Sequence, residues 1–218
     1  MDRITSLYSR LTKTHFIGIG VTLLLATAIC VGVLVTRRSG SSSTLSPSFQ
    51  HFKEKLAKID HAVQWVKYNS ENVTLTNAFD GGSDEDSSLI YACRAHHKSS
   101  ITTVSEVIPG TYYPKTQKCK FTYGGKALEK DEFELLTTKD SSALIWLKNS
   151  NGEVYNGAIT AGLTTTHDEL TVARVEIYGF YYSIGKIHDV YKLAYVPDGK
   201  TEYPSHDYDV LCLKDFAL

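Results

Sequence analysis

The sequence predicts an all-β fold of two tandem, pseudo-symmetric, β-sandwich-like repeats, which a single transmembrane helix and a short amphipathic helix precede. Three observations lead to this prediction: a long uncharged segment near the N terminus, many short apolar runs between turn residues, and a series of motifs that occurs twice in the same order. The composition agrees, since 14 Tyr and 8 Phe stand against a single Met and aromatic side chains favour strands.

The uncharged segment extends from Phe16 to Thr36 and is 21 residues long. A helix of about 20 residues rises about 30 Å, which is the thickness of the hydrocarbon core of a bilayer. A cleaved signal peptide is the alternative, but its apolar region usually has only about 7–15 residues. We therefore predict a transmembrane helix at residues 16–36, behind an N-terminal tail at residues 1–15.

Charged residues around this segment indicate its orientation. Three basic residues precede it and two follow it closely, and the cytoplasmic flank usually carries the larger number. This predicts a type II protein, with the tail in the cytosol and the C-terminal region on the extracellular or lumenal side. Asn72 begins an Asn-Val-Thr triplet, which is a glycosylation acceptor on that side of a membrane.

Residues 37–60 connect the membrane segment to the β region. Residues 37–48 are rich in Ser and predict a flexible linker. The residues that follow have apolar side chains at the spacing of one helix face, which predicts a short amphipathic helix packed on the β region. Binding of this helix to a membrane surface is the alternative. Its apolar residues are Phe49, Phe52, Leu56 and Ile59.

Internal duplication is visible between residues 61–138 and residues 143–214. Trp65 and Trp146 each begin a Trp-apolar-Lys triplet, and further motifs follow both in the same order. Six ordered matches are improbable by chance, so we predict two repeats with these bounds. The other matched pairs are Asn77–Phe79 with Gly157–Ile159, Leu89–Ala95 with Glu169–Val175, Pro109–Thr111 with Ile184–Lys186, Lys120–Lys126 with Ala194–Lys200, and Phe133–Leu136 with Tyr208–Leu211.

Each repeat consists of short runs that are apolar or alternate, such as ALIWLK, LTVARVEIYGFYYSIG and YDVLCL. Turn-forming stretches such as GSDEDSS, SNGE and PDGK separate them, a pattern typical of strands. No segment after residue 60 has a convincing helical period. We therefore expect two small sheets that pack together, with a pseudo-twofold relation between the repeats.

Taken together, these motifs resemble the DM-nine repeat. The shared pattern is a Trp, an Ala before a Gly-rich turn, a Tyr-Val-Ala-Arg-type strand, a Pro-Gly-Lys motif, an aromatic strand before Gly-Lys, and a Tyr-Glu-Val-Leu-type ending. The resemblance covers residues 61–214 and does not include the predicted membrane anchor. This repeat occurs as tandem pairs in invertebrate proteins, in mannose-binding lectins and in natterin-like toxins. The resemblance therefore implies carbohydrate recognition, of mannose in particular.

In that family an acidic residue in the turn before the Arg strand and the lysine of Pro-Gly-Lys hold the sugar. The second repeat has this lysine as Lys186 and an acidic turn residue, Asp168. The first repeat has Thr111 in place of the lysine, although Glu85 and Asp86 lie in its turn. The resemblance therefore implies a working second repeat and a weakened first one. Solvated turn charges without a ligand are the alternative interpretation of these carboxylates.

Other functions leave little signal in the sequence. The net charge of -1 disfavours a general nucleic-acid binder, which usually has a basic excess. No Ser–His–acid trio and no zinc-ligand spacing stand out in the sequence, so we predict neither an enzyme nor a cofactor.

Three cysteines follow the membrane segment. In an oxidising compartment Cys93 and Cys119 could form a disulfide, which would leave Cys212 as an odd thiol open to intermolecular pairing. In the cytosol all three would be buried, small, apolar residues. The sequence does not decide between these two states.

The leading hypothesis is a membrane-anchored, mannose-type carbohydrate-binding recognition protein at the plasma membrane or in the secretory pathway, with sugars or glycoproteins as its partners. The alternative is a non-catalytic protein–protein interaction module tethered to a membrane. Small residues on one face of the predicted membrane helix would also permit homo-oligomers. They are Gly18, Thr22, Ala26 and Cys30.

Overall fold

A computed structural model describes Glu54 and residues 57–68, 75–98 and 105–217 of the chain. The described residues all belong to the unit Ser48–Leu218. None of the helices in these ranges is both long and apolar enough to cross a bilayer. The predicted transmembrane helix at residues 16–36 and the predicted glycosylation site Asn72 lie outside the described residues.

A short helical stretch leads into the sheet. Residues 57–62 are helical, and the side chains of Ile59 and Ala62 pack against the central core. The Lys58 ammonium lies 4.8 Å from the centroid of the Phe216 ring. Ile59, the last apolar residue of the predicted amphipathic helix, therefore contacts the β region. The other three apolar residues of that helix lie outside the described ranges.

Fourteen strands make up most of the remaining described residues. We call β1 to β7 the first half and β8 to β14 the second half. The first half contains β1 (Val63–Lys67), β2 (Asp80–Ser83), β3 (Leu89–Lys98), β4 (Ser105–Tyr113), β5 (Lys118–Tyr123), β6 (Lys126–Lys130) and β7 (Glu134–Thr138). The second half contains β8 (Leu144–Ser150), β9 (Thr160–Leu163), β10 (Glu169–Ile177), β11 (Tyr181–His188), β12 (Leu193–Asp198), β13 (Thr201–Ser205) and β14 (Asp207–Leu213).

Short helical turns complete the described secondary structure. Three 3-10 turns lie at Leu75–Asn77, Ser141–Ala143 and Asp189–Tyr191, and a final helical turn at Lys214–Ala217 follows β14. Asp140 caps the second of these turns, because its side chain accepts a hydrogen bond from the Ser142 N–H. The connection between the halves is therefore short and locally ordered.

All fourteen strands belong to one sheet, in the order β1-β7-β3-β4-β5-β6-β13-β12-β11-β10-β14-β8, with β2 and β9 attached to β3 and β10. Counted from the β1 end, the first half has the order β1-β7-β3-β4-β5-β6. Counted from the β8 end, the second half has the equivalent order β8-β14-β10-β11-β12-β13. The halves meet where Lys126 of β6 pairs with Thr201 of β13. Beside this pair, the Ala127 N–H donates to the Lys200 carbonyl at 3.0 Å.

The expectation of two separate packed sheets is wrong. β6 is the edge strand of the first half and β13 is the edge strand of the second half. If the halves formed separate sheets, each of these strands would expose a row of unpaired backbone groups. Pairing these two edges satisfies the groups and joins the halves into one sheet. Sequence patterns along a strand do not identify the strand beside it, so this joint was not foreseeable from them.

The long run LTVARVEIYGFYYSIG forms a hairpin of β10 and β11. The chain reverses at Tyr178 and Gly179, whose φ angles are 51° and 74°. Glycine adopts this left-handed region without steric cost, which explains its place in the turn. The turn exposes Tyr178 and leaves the Phe180 side chain 86% exposed.

The hydrophobic interior has three clusters. The central cluster combines both halves, with Ile90 and Leu136 from the first and Val172 and Leu211 from the second. Each half also has an outer cluster, built almost entirely from its own strands. The central cluster therefore makes the packing of each half depend on the other.

An arginine of each half reaches into the other half. In the first half, the Arg94 Nε lies 2.6 Å from the Glu134 carboxylate, and its guanidinium lies 4.6 Å from the Trp65 ring centroid. The Arg94 Nη1 donates across to the Ala161 carbonyl of β9 at 3.0 Å. Charge-assisted bonds of this kind fix both the arginine and its acceptor.

Arg174 makes the same set of contacts in the second half. Its Nε lies 2.9 Å from Asp209, its guanidinium 4.8 Å from the Trp146 ring, and its Nη1 3.3 Å from the Gly81 carbonyl of β2. The Trp, Arg and acidic positions that match in the sequence thus form equivalent clusters in space.

Gly110 and Gly185 occupy equivalent points of close strand approach. A Cβ added to Gly110 would lie 2.2 Å from the Lys120 carbonyl oxygen, and one added to Gly185 would lie 2.0 Å from that of Tyr195. Real Cβ atoms do not approach oxygen so closely, so only glycine fits. This steric limit explains the glycine of the Pro-Gly-Thr and Ile-Gly-Lys motifs.

Cys93 and Cys119 form a disulfide, which is the first of the two states that the sequence left open. These residues belong to β3 and β5, which flank β4, and their Cα atoms are 6.0 Å apart. The sheet therefore curls strongly at β4. Cys212 is completely buried in the outer cluster of the second half, so an intermolecular bond would require local unfolding.

Candidate functional site

The sheet carries two cavities at corresponding positions of its halves. The larger, of about 710 Å³, lies beside β11 and the turn before β10. We call it the Lys186 cavity. The smaller, of about 290 Å³, lies beside β5 and the turn before β3, and we call it the Asp86 cavity. Both include residues contributed by the opposite half.

Lys186 forms the inner wall of the larger cavity. Only 8% of the residue is exposed, and its Nζ donates to the Thr122 carbonyl at 2.5 Å. The Glu202 Oε1 lies 3.4 Å from the same Nζ, and the Tyr195 ring centroid lies 5.8 Å away. Burial lowers the pKa of Lys186, whereas the negative charge of Glu202 opposes this effect. A buried ammonium needs such a partner, because an isolated buried charge is costly.

Asp168 lies at the mouth of the same cavity, in a tight turn at residues 164–168. The Thr164 N–H donates to the Asp168 carbonyl at 3.0 Å, and the turn includes His167 with a φ of 69°. The Asp168 Oδ2 accepts hydrogen bonds from the Thr166 hydroxyl at 2.5 Å and the Thr164 hydroxyl at 3.2 Å. These bonds, with Thr166 first, lower the pKa of the Asp168 carboxyl. The carboxylate is therefore held ionised and in a fixed direction.

His188 lies two residues after Lys186, on the same face of β11, and also lines the cavity. Its Nε2 lies 4.0 Å from the Asp168 Oδ2, and its ring meets the Tyr191 ring edge-on at a centroid distance of 4.6 Å. Burial and the charge of Lys186 lower the pKa of His188. The imidazole is therefore neutral at physiological pH.

Two carboxylates and a tyrosine from more distant strands complete the cavity. Glu106 of β4 accepts a hydrogen bond from the Thr165 N–H at 3.1 Å. Tyr123 of β5 also lines the cavity. Glu202 comes from β13. The cavity therefore combines carboxylates, an ammonium, an imidazole, hydroxyls and aromatic faces. Such groups bind a polyol well, because carboxylates accept from hydroxyls, cations donate to them, and aromatic faces cover C–H surface.

Glu85 and Asp86 line the smaller cavity and do not meet Lys186 or Asp168. The Asp86 Oδ2 forms a 2.8 Å ion pair with the Lys115 Nζ on the surface. The structure therefore brings together two of the four predicted sugar-binding residues, Lys186 and Asp168. It assigns the other two to the corresponding place in the first half.

The turns before β3 and β10 have the same hydrogen-bond pattern. The Asp84 N–H donates to the Ser88 carbonyl, as the Thr164 N–H donates to that of Asp168. The structural counterpart of Asp168 is therefore Ser88 and not Asp86, whose own counterpart is Thr166. This explains why Asp168 lies two residues closer to its arginine in the sequence than Asp86 does.

Thr111 takes the position of Lys186 in the first half. It is fully buried, and its hydroxyl donates to the Ile184 carbonyl at 2.8 Å and accepts from the Ile184 N–H at 2.7 Å. The Ser183 hydroxyl donates to the Pro197 carbonyl at 2.7 Å, the counterpart of the Thr122 carbonyl that Lys186 contacts. The smaller cavity therefore has no equivalent of the ammonium on its inner wall.

Sequence reasoning missed His188, Glu202 and Glu106. A lysine in a buried strand position needs an acidic partner, which was a signal for a residue such as Glu202, although not for its location. His188 lies two positions beyond Lys186 in the same strand and so shares its face. No local signal connects Glu106 to this cavity, because it comes from the other half. Within the described ranges, no three His, Cys, Asp or Glu side chains are placed to hold a metal ion.

Residues 101–205 match the DM9 repeat. This DM9 region extends from the start of β4 to the end of β13, and it includes Glu106, Asp168, Lys186 and Glu202. Glu85 and Asp86 lie before it.

Similarity to individual proteins is more distant. The chain is 27% identical over 155 residues to natterin-4 of Thalassophryne nattereri, with 68% of this chain and 33% of that protein aligned. The chain thus spans about a third of the length of this relative. The crystal structure of the nematode sperm cell motility protein MFP2B superposes with a TM-score of 0.47 at 13% identity, over 69% of this chain and 46% of that one.

Proposed function

We propose that the chain is a membrane-anchored, non-catalytic carbohydrate-binding protein that holds a mannose-type sugar in the Lys186 cavity. One observation carries this proposal: Lys186 and Asp168, on separate elements, line the same cavity in a DM9 region. Lectin-like recognition is the function that this repeat and the natterin similarity suggest. Mannose as the sugar follows from the family resemblance of the two residues.

The polar groups of the cavity suit neighbouring sugar hydroxyls. The Asp168 carboxylate is fixed by two threonine hydroxyls and is 40% exposed, so it can accept from a ligand without a large desolvation cost. The Lys186 ammonium is held by Thr122 and Glu202 on the inner wall. It retains a third N–H for a ligand. Because these groups are already in place, binding costs little side-chain entropy.

Membrane anchoring through residues 16–36 remains part of the proposal. The Cys93–Cys119 disulfide supports an extracellular or lumenal position of the β region, since disulfides persist in oxidising compartments. Glycosylation of Asn72 would place the region on the same side. An anchored protein with a weak sugar site also gains avidity by clustering in the membrane, as several sites then bind one glycan surface.

We further infer that the two halves are copies of one repeat. Their strand order, their Trp–Arg–carboxylate clusters and their strand-contact glycines correspond. On this interpretation the first half has kept the fold and lost the lysine. One sugar site per chain is the consequence.

Asp168→Asn gives the most direct test. The side chain is exposed enough for the variant to fold, and the loss of the carboxylate should weaken sugar binding about 10- to 100-fold. Detergent-solubilised full-length chain would be applied to mannose-agarose and titrated with free mannose. Asp86→Asn is the control, because it removes a carboxylate from the equivalent turn of the other half, outside the Lys186 cavity, together with a surface ion pair of little energetic value.

Two results would oppose the sugar proposal. One is no retention of the folded wild-type chain on mannose-agarose. The other is equal retention of wild type and Asp168→Asn. A larger loss of mannose-agarose retention in Asp86→Asn than in Asp168→Asn would indicate that the sugar binds in the first half.

Protein–protein interaction is the second candidate function, favoured by the tip of the β10–β11 hairpin. Phe180 is 86% exposed and Tyr178 is 65% exposed, and exposed aromatic side chains are common anchors of protein interfaces. Proximity labelling in cells by wild type and Phe180→Ser would test this function. Labelled proteins that persist in excess free mannose but disappear in Phe180→Ser would support it.

A further inference from the structure

The His188 imidazole has a ring nitrogen that is unpartnered within the described ranges. Its Nε2 is buried and makes no hydrogen bond with any described residue. In the same part of the structure, the other buried side-chain atom of this kind is the hydroxyl of Thr122, whose carbonyl holds Lys186. Buried polar atoms are normally bonded, so this nitrogen keeps an unused hydrogen-bonding capacity in a residue that lines the cavity.

Charged groups surround this imidazole from several elements. Asp168 faces it from the turn before β10, Lys186 from β11 itself, Asp189 from the turn after β11, and Glu106 from β4. Glu202 of β13 lies behind Lys186. Protonation of His188 would therefore change the balance of charge at the centre of the proposed site.

We propose that neutral His188 binds a sugar hydroxyl in the Lys186 cavity and that protonation of His188 releases the sugar. This inference rests on the proposed function, because it adds a binding residue and a control to the same site. The residue contacts the ligand through Nε2, which accepts or donates according to the tautomer.

The distance between His188 and Asp168 provides the mechanism of release. At 4.0 Å, the Nε2 and the Asp168 Oδ2 are too far apart for a hydrogen bond. A proton taken up from solvent makes the ring a cation with two donors, and the N–H on Nε2 then attracts this carboxylate. The imidazolium then competes with the sugar hydroxyls for this carboxylate, and the ring nitrogen no longer accepts from the sugar, so the site loses two contacts together.

The order of the two titrations permits this exchange. Hydrogen bonds from the threonines lower the pKa of Asp168, so it remains a carboxylate in mild acid. Burial lowers the pKa of His188 below its ordinary value of about 6.5, so the ring is neutral near pH 7. Release is therefore expected in the acidic range of endosomes, where histidine switches operate.

The test is the affinity of detergent-solubilised full-length chain for mannose, measured by calorimetry from about pH 7.5 to about pH 5. Wild-type affinity should be constant at the upper end and fall by up to about tenfold per pH unit below the pKa of His188. In His188→Gln, an amide replaces the ring nitrogen without titrating, so binding should persist with little pH dependence. His96→Gln, at an exposed position of β3, should keep the wild-type profile.

The outcomes separate this inference from the function on which it rests. Absence of binding at about pH 7.5 in the wild type contradicts the proposed function. Wild-type binding that is unchanged at about pH 5, or a His188→Gln profile that still falls, overturns the role of His188. If His188→Gln does not fold, the imidazole of the wild type can be titrated by NMR with and without mannose. The sugar should then lower its pKa, and an unchanged pKa would refute the contact.

Discussion

The two halves of the sheet share one framework and differ in what they add to it. Each has the same strand order, an arginine between a tryptophan and a carboxylate, and a glycine where two strands touch. The first half adds a disulfide, whereas the second adds a buried lysine and its glutamate. The comparison shows that both halves share the packing of the framework, while the walls of their two cavities differ at a few positions.

The positions of the disulfide illustrate the difference. The structural counterparts of Cys93 and Cys119 are Ala173 and Ala194, both completely buried in the outer cluster of the second half. Close packing around alanine thus takes the place of a covalent bond. Both halves pack these positions into an outer cluster, and the first half has a crosslink there in addition.

Removal of the disulfide is expected to change the free energy of unfolding more than the other variants that compare the two halves. The double variant Cys93→Ala, Cys119→Ala should lose about 2–4 kcal/mol of unfolding free energy, because the crosslink restricts the unfolded chain. Urea unfolding followed by tryptophan fluorescence measures this loss. Ala173→Cys with Ala194→Cys is the converse experiment, and a disulfide should form at the matching place of the second half. An unchanged urea midpoint in Cys93→Ala, Cys119→Ala would show that the crosslink does not stabilise the folded chain.

Transfer of the lysine to the first half is the next test. Thr111→Lys with Ala127→Glu installs the counterparts of Lys186 and Glu202. Sugar-binding stoichiometry should rise from one to two per chain in calorimetry. Stability should fall by about 1–3 kcal/mol, since the Thr111 hydroxyl no longer bonds Ile184. Thr111→Met with Ala127→Glu is the uncharged control. A folded charge-bearing variant that still binds one sugar would show that the halves differ in more than these two positions.

The smallest effect concerns the pH dependence of stability. Burial lowers the pKa of His188 in the folded chain. Its contribution to stability is therefore fully present above about pH 6.5 and is lost as the pH falls through the folded-state pKa. The free energy of unfolding should fall by less than about 1.4 kcal/mol per pH unit in this range. His188→Gln should remove this part of the slope.

The first half provides the comparison for that experiment. Tyr113 is the counterpart of His188, and burial raises its pKa, so it does not titrate in mild acid. His97 of the first half also has a pKa lowered by burial, and His97→Gln should remove a separate part of the slope. Equal slopes for wild type and His188→Gln would mean that the pH dependence originates elsewhere.

Local chemistry made some features predictable from the sequence. The alternating runs and the turn residues each depend on a few residues whose patterns are visible along the chain, whereas the state of Cys93 and Cys119 was left open between a disulfide and buried thiols. Lys186 and Asp168 were predicted as sugar-binding residues from a family resemblance, and both line the Lys186 cavity.

Long-range features were not predictable. The joint between β6 and β13 depends on which edges meet, and Glu106 reaches the cavity from a strand of the other half. The register of Asp168 was obscured because the two turns carry their acidic residues at different positions. In each case the deciding contact joins segments far apart in sequence, and no single segment contains the information.

The exchange of arginine contacts between the halves has a consequence for assembly. If the chain were cut between residues 138 and 144, each piece would have a guanidinium without its carbonyl acceptor and half of the central core open to water. Such a piece would bury these groups only against the other piece or against a second copy of itself. Because the halves are covalently linked, the contacts that would form a dimer interface between two half-length chains are made within one chain. We therefore expect a polypeptide of half this length to exist as a symmetric pair.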